Sequence, residues 1–206
     1  MSASFRGMNN STDKLILTLK DIATRHGAIL QTHACFSYFT HDASVVHHGM
    51  PEIERLESLG VLDEKMLILH GGWLEPQEIA LLAKRKPTIV CCPTSSLHNG
   101  YGNFTMGNHP ELMALGVNVS LGADHASSGS VDMVQEMRHA VGGYKEMRLN
   151  PRVMPPEQAI EMATINGARG AGLADRIGSI EAGKEGDLVL FDATVSEWQP
   201  LYNPVS

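Results

Sequence analysis

No run of basic residues occurs in this chain, whose 23 Asp and Glu outnumber its 16 Lys and Arg for a formal charge of −7. A nucleic-acid surface needs clustered cations, so that class of partner is set aside. No segment approaches the roughly 20 apolar residues that span a bilayer, which sets a membrane role aside as well. Residues 1–10 lack the charged-then-apolar order of an export signal, so a cytoplasmic location is expected. Only three cysteines are present, two of them adjacent as Cys91 and Cys92. They make no disulfide framework and suit a reducing compartment as small buried apolar side chains. Phosphate-binding glycine loops of the GxGxxG or GxxxxGK[ST] kind are also missing, so nucleotide-cofactor chemistry has no support.

What is present is apolar material enough for a sizeable core, 43% of 206 residues, arranged as strands alternating with helices. Residues 12–26 carry Leu15, Ile16, Leu19, Ile22 and Ala23 at helical spacing behind a Ser-Thr-Asp cap. A short apolar run, residues 28–30, then ends in Gln31-Thr32-His33. Residues 51–59 resume helical spacing after Pro51. Met66-Leu67-Ile68-Leu69 reads as a strand ending in His70, followed by a helix that opens at Pro76. Residues 88–92 form a third strand stopped by Pro93, and residues 117–121 a fourth, which ends in Gly122-Ala123-Asp124. Helices are expected near 110–115, 130–141 and 156–166. Residues 94–108 read as a polar, Gly-rich loop, with His98 and His109 flanking it. His41-Asp42 and His47-His48 read as surface loop, and Ser127 and Ser128 as caps for the next helix.

Strand–helix repeats imply parallel strands with right-handed crossovers, and continuous apolar strands imply that both faces are covered. The fold class is therefore α/β with about four parallel strands. A complete (β/α)8 barrel takes about 250 residues, more than this chain provides. Residues 183–192 (GKEGDLVLFD) have no helix after them and read as a separate terminal strand.

Three of the four strands end in a residue able to bind or polarise a metal: His33, His70 and Asp124. In parallel barrels the C-terminal strand ends converge on the active site, and imidazole with carboxylate suits zinc or ferrous iron. Taken singly, a histidine at a strand end is as often a packing residue. Three in register on successive strand–helix units form a candidate reaction centre.

The stretches LQTHA (30–34), LILHGGWL (67–74), VCCPTSS (90–96), LGADHASS (121–128), MATINGARGAGL (162–173) and IGSIEAGKEGDLVLFD (177–192) resemble the amidohydrolase superfamily. The similar branch holds cytosine, guanine and S-adenosylhomocysteine deaminases and triazine chlorohydrolases. The resemblance implies the C-terminal half of a (β/α)8 barrel over residues 1–182, with residues 183–206 a strand segment of the family's small β-sandwich. It implies a divalent metal, zinc foremost and iron as the alternative, ligated by His33 and touched by Asp124. His70 and Asp124 take catalytic roles, the first positioning the water or leaving group and the second shuttling the proton. Ser96 and His98 are assigned to substrate binding. The implied reaction is hydrolysis of a C–N or C–Cl bond in a small cyclic or heterocyclic substrate.

Three departures accompany the resemblance. No His-x-His occurs in the chain, although the family's first strand supplies two ligands through that pair. Phe36 stands where the deaminases carry an acid–base glutamate, and Ser96 stands where the family has asparagine. Open sheet edges are expected near residues 28–33 and 117–122, calling for a homo-oligomer or completion by an N-terminal half. A non-catalytic half-barrel module is the competing reading.

Overall fold

Strand-forming runs pair side by side in chain order as one wholly parallel sheet in a computed structural model that describes residues 1–125, 131–195 and 198. The strands are β1 (Ser2–Gly7), β2 (Ile29–Ala34), β3 (Met66–His70), β4 (Thr88–Cys91) and β5 (Asn118–Leu121). Registers such as Leu30↔Met66, Ile68↔Ile89 and Val90↔Ser120 bring the C-terminal ends to one rim. The α/β, half-barrel expectation is borne out, with one strand more than the apolar runs announced.

That strand, β1, pairs in parallel with β2 from Ser2↔Ile29 to Gly7↔His33. The 28–33 run is therefore interior to the sheet, and the open edges lie at β1 and β5. Sequence reading passed β1 over because SASFRG holds a single large apolar residue, Phe5, which is buried.

The helices are α1 (Asp13–Arg25), α2 (Tyr38–His48), α3 (Glu52–Ser58), α4 (Pro76–Arg85), α5 (Pro93–Asn99), α6 (Asn103–Met106), α7 (His109–Ala114), α8 (Met133–Arg148), α9 (Pro156–Ala163) and α10 (Ile165–Gly170). Caps explain many of the ends. The Thr12 hydroxyl accepts from Leu15 N–H, and Asp132 accepts from Val134 and Gln135 N–H at 2.9 and 3.2 Å. Their apolar stripes pack on the strands, so that Ile16, Leu30, Leu56, Ile68, Leu82, Ile89, Leu112 and Val119 are fully enclosed.

Two stretches expected as loop are helical. Residues 38–48 form α2, started by a reciprocal Ser37–Thr40 capping box and ended by Gly49 at φ 72°. Only Ser44 of that helix is buried, so there was no apolar stripe to betray it, and His47-His48 is its last turn. Residues 94–108 hold α5 and α6, set by Pro93 at a first turn and by Gly100 and Gly102 at positive φ. Ser127 and Ser128 lie outside the described residues. Residues 183–192 form no strand: Leu188, Val189, Leu190 and Phe191 are all exposed, and a strand needs a neighbour to take its N–H and C=O groups.

Buried carboxyls fix the turn after β2. Cys35, at φ 55°, donates its N–H to Glu52 Oε2 at 2.6 Å. Glu78 accepts from Ile53 N–H at 2.8 Å and Glu75 N–H at 2.9 Å. Both side chains are almost wholly enclosed. Burial pushes Glu52 up to about 7, and it raises Glu78 as well.

Candidate functional site

Strand alternation alone would not bring His33 and His70 together. His33 belongs to the partly open face of β2, whereas in β3 the alternation places His70 with Met66 and Ile68 on the helix-covered face. His70 escapes by adopting φ 76°, a left-handed conformation unfavourable for a residue with a Cβ. The twist leaves its ring tilted against that of His33, centroids 5.5 Å apart. Asp124, just beyond β5, has φ 62°. Two of the three residues thus sit in strained backbone of the kind that concentrates at functional sites, at about 1–3 kcal/mol each.

The three side chains converge. One ligand-capable atom from each of His33, His70 and Asp124 lies within 4.8 Å of the others. His33 Nε2 is 3.9 Å from Asp124 Oδ1. His33 Nδ1 donates to the Arg6 carbonyl at 3.0 Å, which fixes the proton there and leaves Nε2 free as a donor of electrons. His70 Nδ1 is buried with no hydrogen-bond partner among the described residues. Burial, and then the Arg6 charge, lowers the His33 pKa against the pull of Asp124. Burial takes His70 down to about 4 in spite of the same carboxylate. Both imidazoles are neutral at neutral pH, the form that ligates metal. Two neutral imidazoles and a carboxylate, one nitrogen lacking a partner, are a donor set suited to a divalent cation.

Around this group the structure adds residues that the sequence reading did not single out. Ser95 donates its hydroxyl to Asp124 Oδ2 at 2.7 Å. Ser96, assigned to substrate, is buried and accepts from Asn103 N–H at 3.1 Å. His98, the other assignment, is exposed on α5. In CPTSS the family pattern drew weight to the second serine, while the helical turn begun at Pro93 presents the first to the carboxylate. His125 Nε2 lies 3.8 Å from Asp124 Oδ2. His41, on α2, faces Asp42 and Glu75 at 3.4 and 3.3 Å. Phe36 fills the place of the family's glutamate with a ring 5.4 Å from that of His70 and 5.1 Å from that of Tyr101. The wall beside the imidazoles is therefore aromatic. Replacing Ser95 with alanine should weaken metal affinity about tenfold, because it removes the group that orients the carboxylate of this candidate donor set. Zinc titration of S95A checks this, and an unchanged dissociation constant would show that Asp124 needs no such support.

A parallel sheet that gathers imidazoles and a carboxylate at its C-terminal rim is the architecture of a (β/α)-barrel active face. The pattern of the amidohydrolase family matches residues 3–205, and the chain belongs to that family. It is 36% identical over 185 residues to the 5-methylthioadenosine/S-adenosylhomocysteine deaminase of Moorella thermoacetica, a match covering 89% of this chain and 42% of the relative. The enzyme of the same name from Pyrococcus furiosus is 37% identical over 160 residues, covering 77% and 37%. Among solved structures, an adenosine deaminase from Xanthomonas campestris with bound zinc superposes with a TM-score of 0.92 at 28% identity, covering 98% of this chain and 46% of that one. The atrazine chlorohydrolase of Arthrobacter aurescens, complexed with zinc, shares the fold at a TM-score of 0.90 and 19% identity, covering 98% and 44%. The chain thus spans less than half the length of the curated relatives it matches.

Proposed function

We propose that this chain carries the metal- and proton-handling side of a hydrolase that cleaves a C–N or C–Cl bond in a small cyclic or heterocyclic substrate. The observation that carries the reading is the convergence of His33, His70 and Asp124 within 4.8 Å. Zinc is the metal we assign, by likeness to the zinc-bound relatives, with iron as the alternative; His33 and Asp124 hold it, and His70 borders it. A divalent metal there supplies an activated water at neutral pH and polarises the bond under attack. Asp124, steadied by Ser95, accepts the proton of the attacking water and returns it to the leaving group. His70, neutral and desolvated, orients the water or the departing group. Ser96 and His98 remain candidates for substrate contact only through movement of α5.

We assign the exposed apolar run at residues 188–191 to the small β-sandwich that the resemblance implies, where partner strands would cover it; the rest of the expected segment beyond residue 195, Trp198 apart, lies outside the described residues. The edges at β1 and β5 are completed by an N-terminal half-barrel or by another copy of the chain. Three buried, unpaired thiols suit a cytoplasmic setting, and no helix among the described residues is long and apolar enough to cross a membrane. A second reading, a non-catalytic half-barrel, draws on Phe36 in place of a proton-donating glutamate.

Metal analysis of the complete gene product, wild type against His33→Ala, separates the two readings. Near-stoichiometric zinc in the wild type, at least tenfold weaker retention in the variant, and release of ammonia or chloride from amino- and chloro-substituted purines and triazines are expected. Metal content indifferent to His33 would end the hydrolase reading.

A further inference from the structure

His109 opens α7 far from the sheet's polar rim in sequence, and it is fully enclosed. Its Nε2 lies 2.6 Å from the carbonyl oxygen of His70. A carbonyl only accepts, so Nε2 carries the proton and donates. In the neutral ring Nδ1 is then an acceptor, and the hydroxyl of Tyr144, from α8, donates to it. That hydroxyl is in turn within 3.8 Å of the Cys91 thiol, which has a hydrogen to give. The polar chain runs in one direction: Cys91 to Tyr144 to His109 to the backbone of His70.

The chain is built into the core. The Tyr144 ring packs on Phe104 with centroids 5.1 Å apart, and the Arg148 guanidinium lies 5.9 Å above its face. Gly143 leaves space for that packing, since a Cβ there would fall 2.5 Å from the Phe104 ring. Gly107 does the same on the other side, where a Cβ would meet the Asn103 carbonyl at 2.0 Å and His109 Nδ1 at 3.0 Å. Two helices therefore deliver a rigid imidazole to one carbonyl.

That carbonyl belongs to the residue whose left-handed backbone throws its side chain onto the inner face. The direction of the C=O and the direction of the ring are set by the same twist, so holding one holds the other. We propose that His109, held in its Nε2–H form by the carbonyl it serves and braced by Tyr144, is a positioning residue that keeps the His70 imidazole aimed at His33 and Asp124. The consequence for metal binding rests on the function proposed above; the orientation of His70 does not.

The test compares His109→Leu, His109→Gln and Tyr144→Phe in the full chain, with Leu56→Ala as a buried core variant outside this chain of hydrogen bonds. Glutamine returns an N–H near the Nε2 position, whereas leucine returns none. In metal-free protein, nitrogen-15 spectra of the imidazoles should show His109 protonated at Nε2 in the wild type and in Tyr144→Phe, where the His70 carbonyl still accepts. The His70 ring signals should move in His109→Leu, return in His109→Gln and stay in place in Leu56→Ala. Cobalt(II) titration should then show a dissociation constant at least about tenfold weaker for His109→Leu and within about threefold of wild type for His109→Gln. His70 signals that stay in place in His109→Leu, or that move equally in Leu56→Ala, overturn the proposal. Unmoved cobalt affinity with moved His70 signals keeps the positioning role and counts against His70 bordering the metal. Wild-type chain whose His70 signals answer to His109, but in which cobalt disturbs neither His33 nor Asp124, supports the positioning role and overturns the metal reading alone.

Discussion

Asp124→Asn should lower turnover of the proposed hydrolase by about 10²–10⁴-fold, the range that a positioned acid–base group contributes. Asparagine keeps the size of the side chain and an oxygen for the 2.7 Å hydrogen bond from Ser95, so the β5 terminus has no reason to rearrange. It cannot take a proton from water. The loss should therefore fall on kcat, with KM altered far less. Asparagine also tolerates left-handed backbone well, which suits φ 62° at this position. Circular dichroism and melting temperature close to wild type would accompany the effect. Turnover within a factor of a few of wild type would show that the proton passes elsewhere, and the aromatic surroundings of Phe36 offer no obvious substitute.

The second large effect concerns stability. Glu52→Gln should stabilise the chain at pH 8 by about 3 kcal/mol and leave it nearly unchanged at pH 4, because one pKa unit corresponds to about 1.4 kcal/mol. The reasoning follows the proton. Burial lifts Glu52 from an ordinary value of 4.5 to about 7, with Glu78 adding to the lift and the Cys35 N–H and Thr40 opposing it. Between those two values the folded chain keeps a proton that the unfolded chain has released, so stability declines as pH rises across the window. Above it the folded chain carries a buried carboxylate at full cost. Glutamine stays neutral at every pH and still offers an oxygen to the Cys35 N–H, which lies 2.6 Å away in the wild type. Glu78 is also raised by burial and gives both proteins a shared slope, which the comparison cancels. Urea unfolding at pH 4, 6 and 8 reads the difference, and curves that stay parallel across that range would show that Glu52 ionises normally. In melting temperature the gain at pH 8 is on the order of 6–12 °C for a domain of this size.

Much of the site was legible because its residues punctuate apolar runs. Ile68-Leu69-His70 and the 117–124 stretch announce a strand and then a polar terminus, and parallel topology makes such termini neighbours. The reach of the signal stops where backbone geometry takes over. Nothing in the letters says that His70 abandons strand alternation; read as regular β structure, it would turn its ring into the helical layer. β1 escaped notice because a strand can be recruited by its neighbour's open hydrogen-bonding edge with almost no apolar content of its own. α2 escaped because a helix lying on the surface, with one buried residue, has no stripe to display. Ser95 and Ser96 were indistinguishable in sequence, and a single helical turn separates a carboxylate partner from a backbone clasp. His109 was visible as a histidine beside a glycine-rich stretch. Its contact with a main-chain oxygen follows only from how α7 and α8 meet.

The backbone of β1 contributes no reacting side chain, yet its Arg6 carbonyl accepts the hydrogen bond from His33 Nδ1. The outermost ribbon thus dictates which nitrogen of a central imidazole is bare. Shaving the first half-dozen residues from this polypeptide would spare every group that does chemistry. It would free that ring to swap its hydrogen between two positions, with half of the choices presenting N–H where a lone pair is wanted.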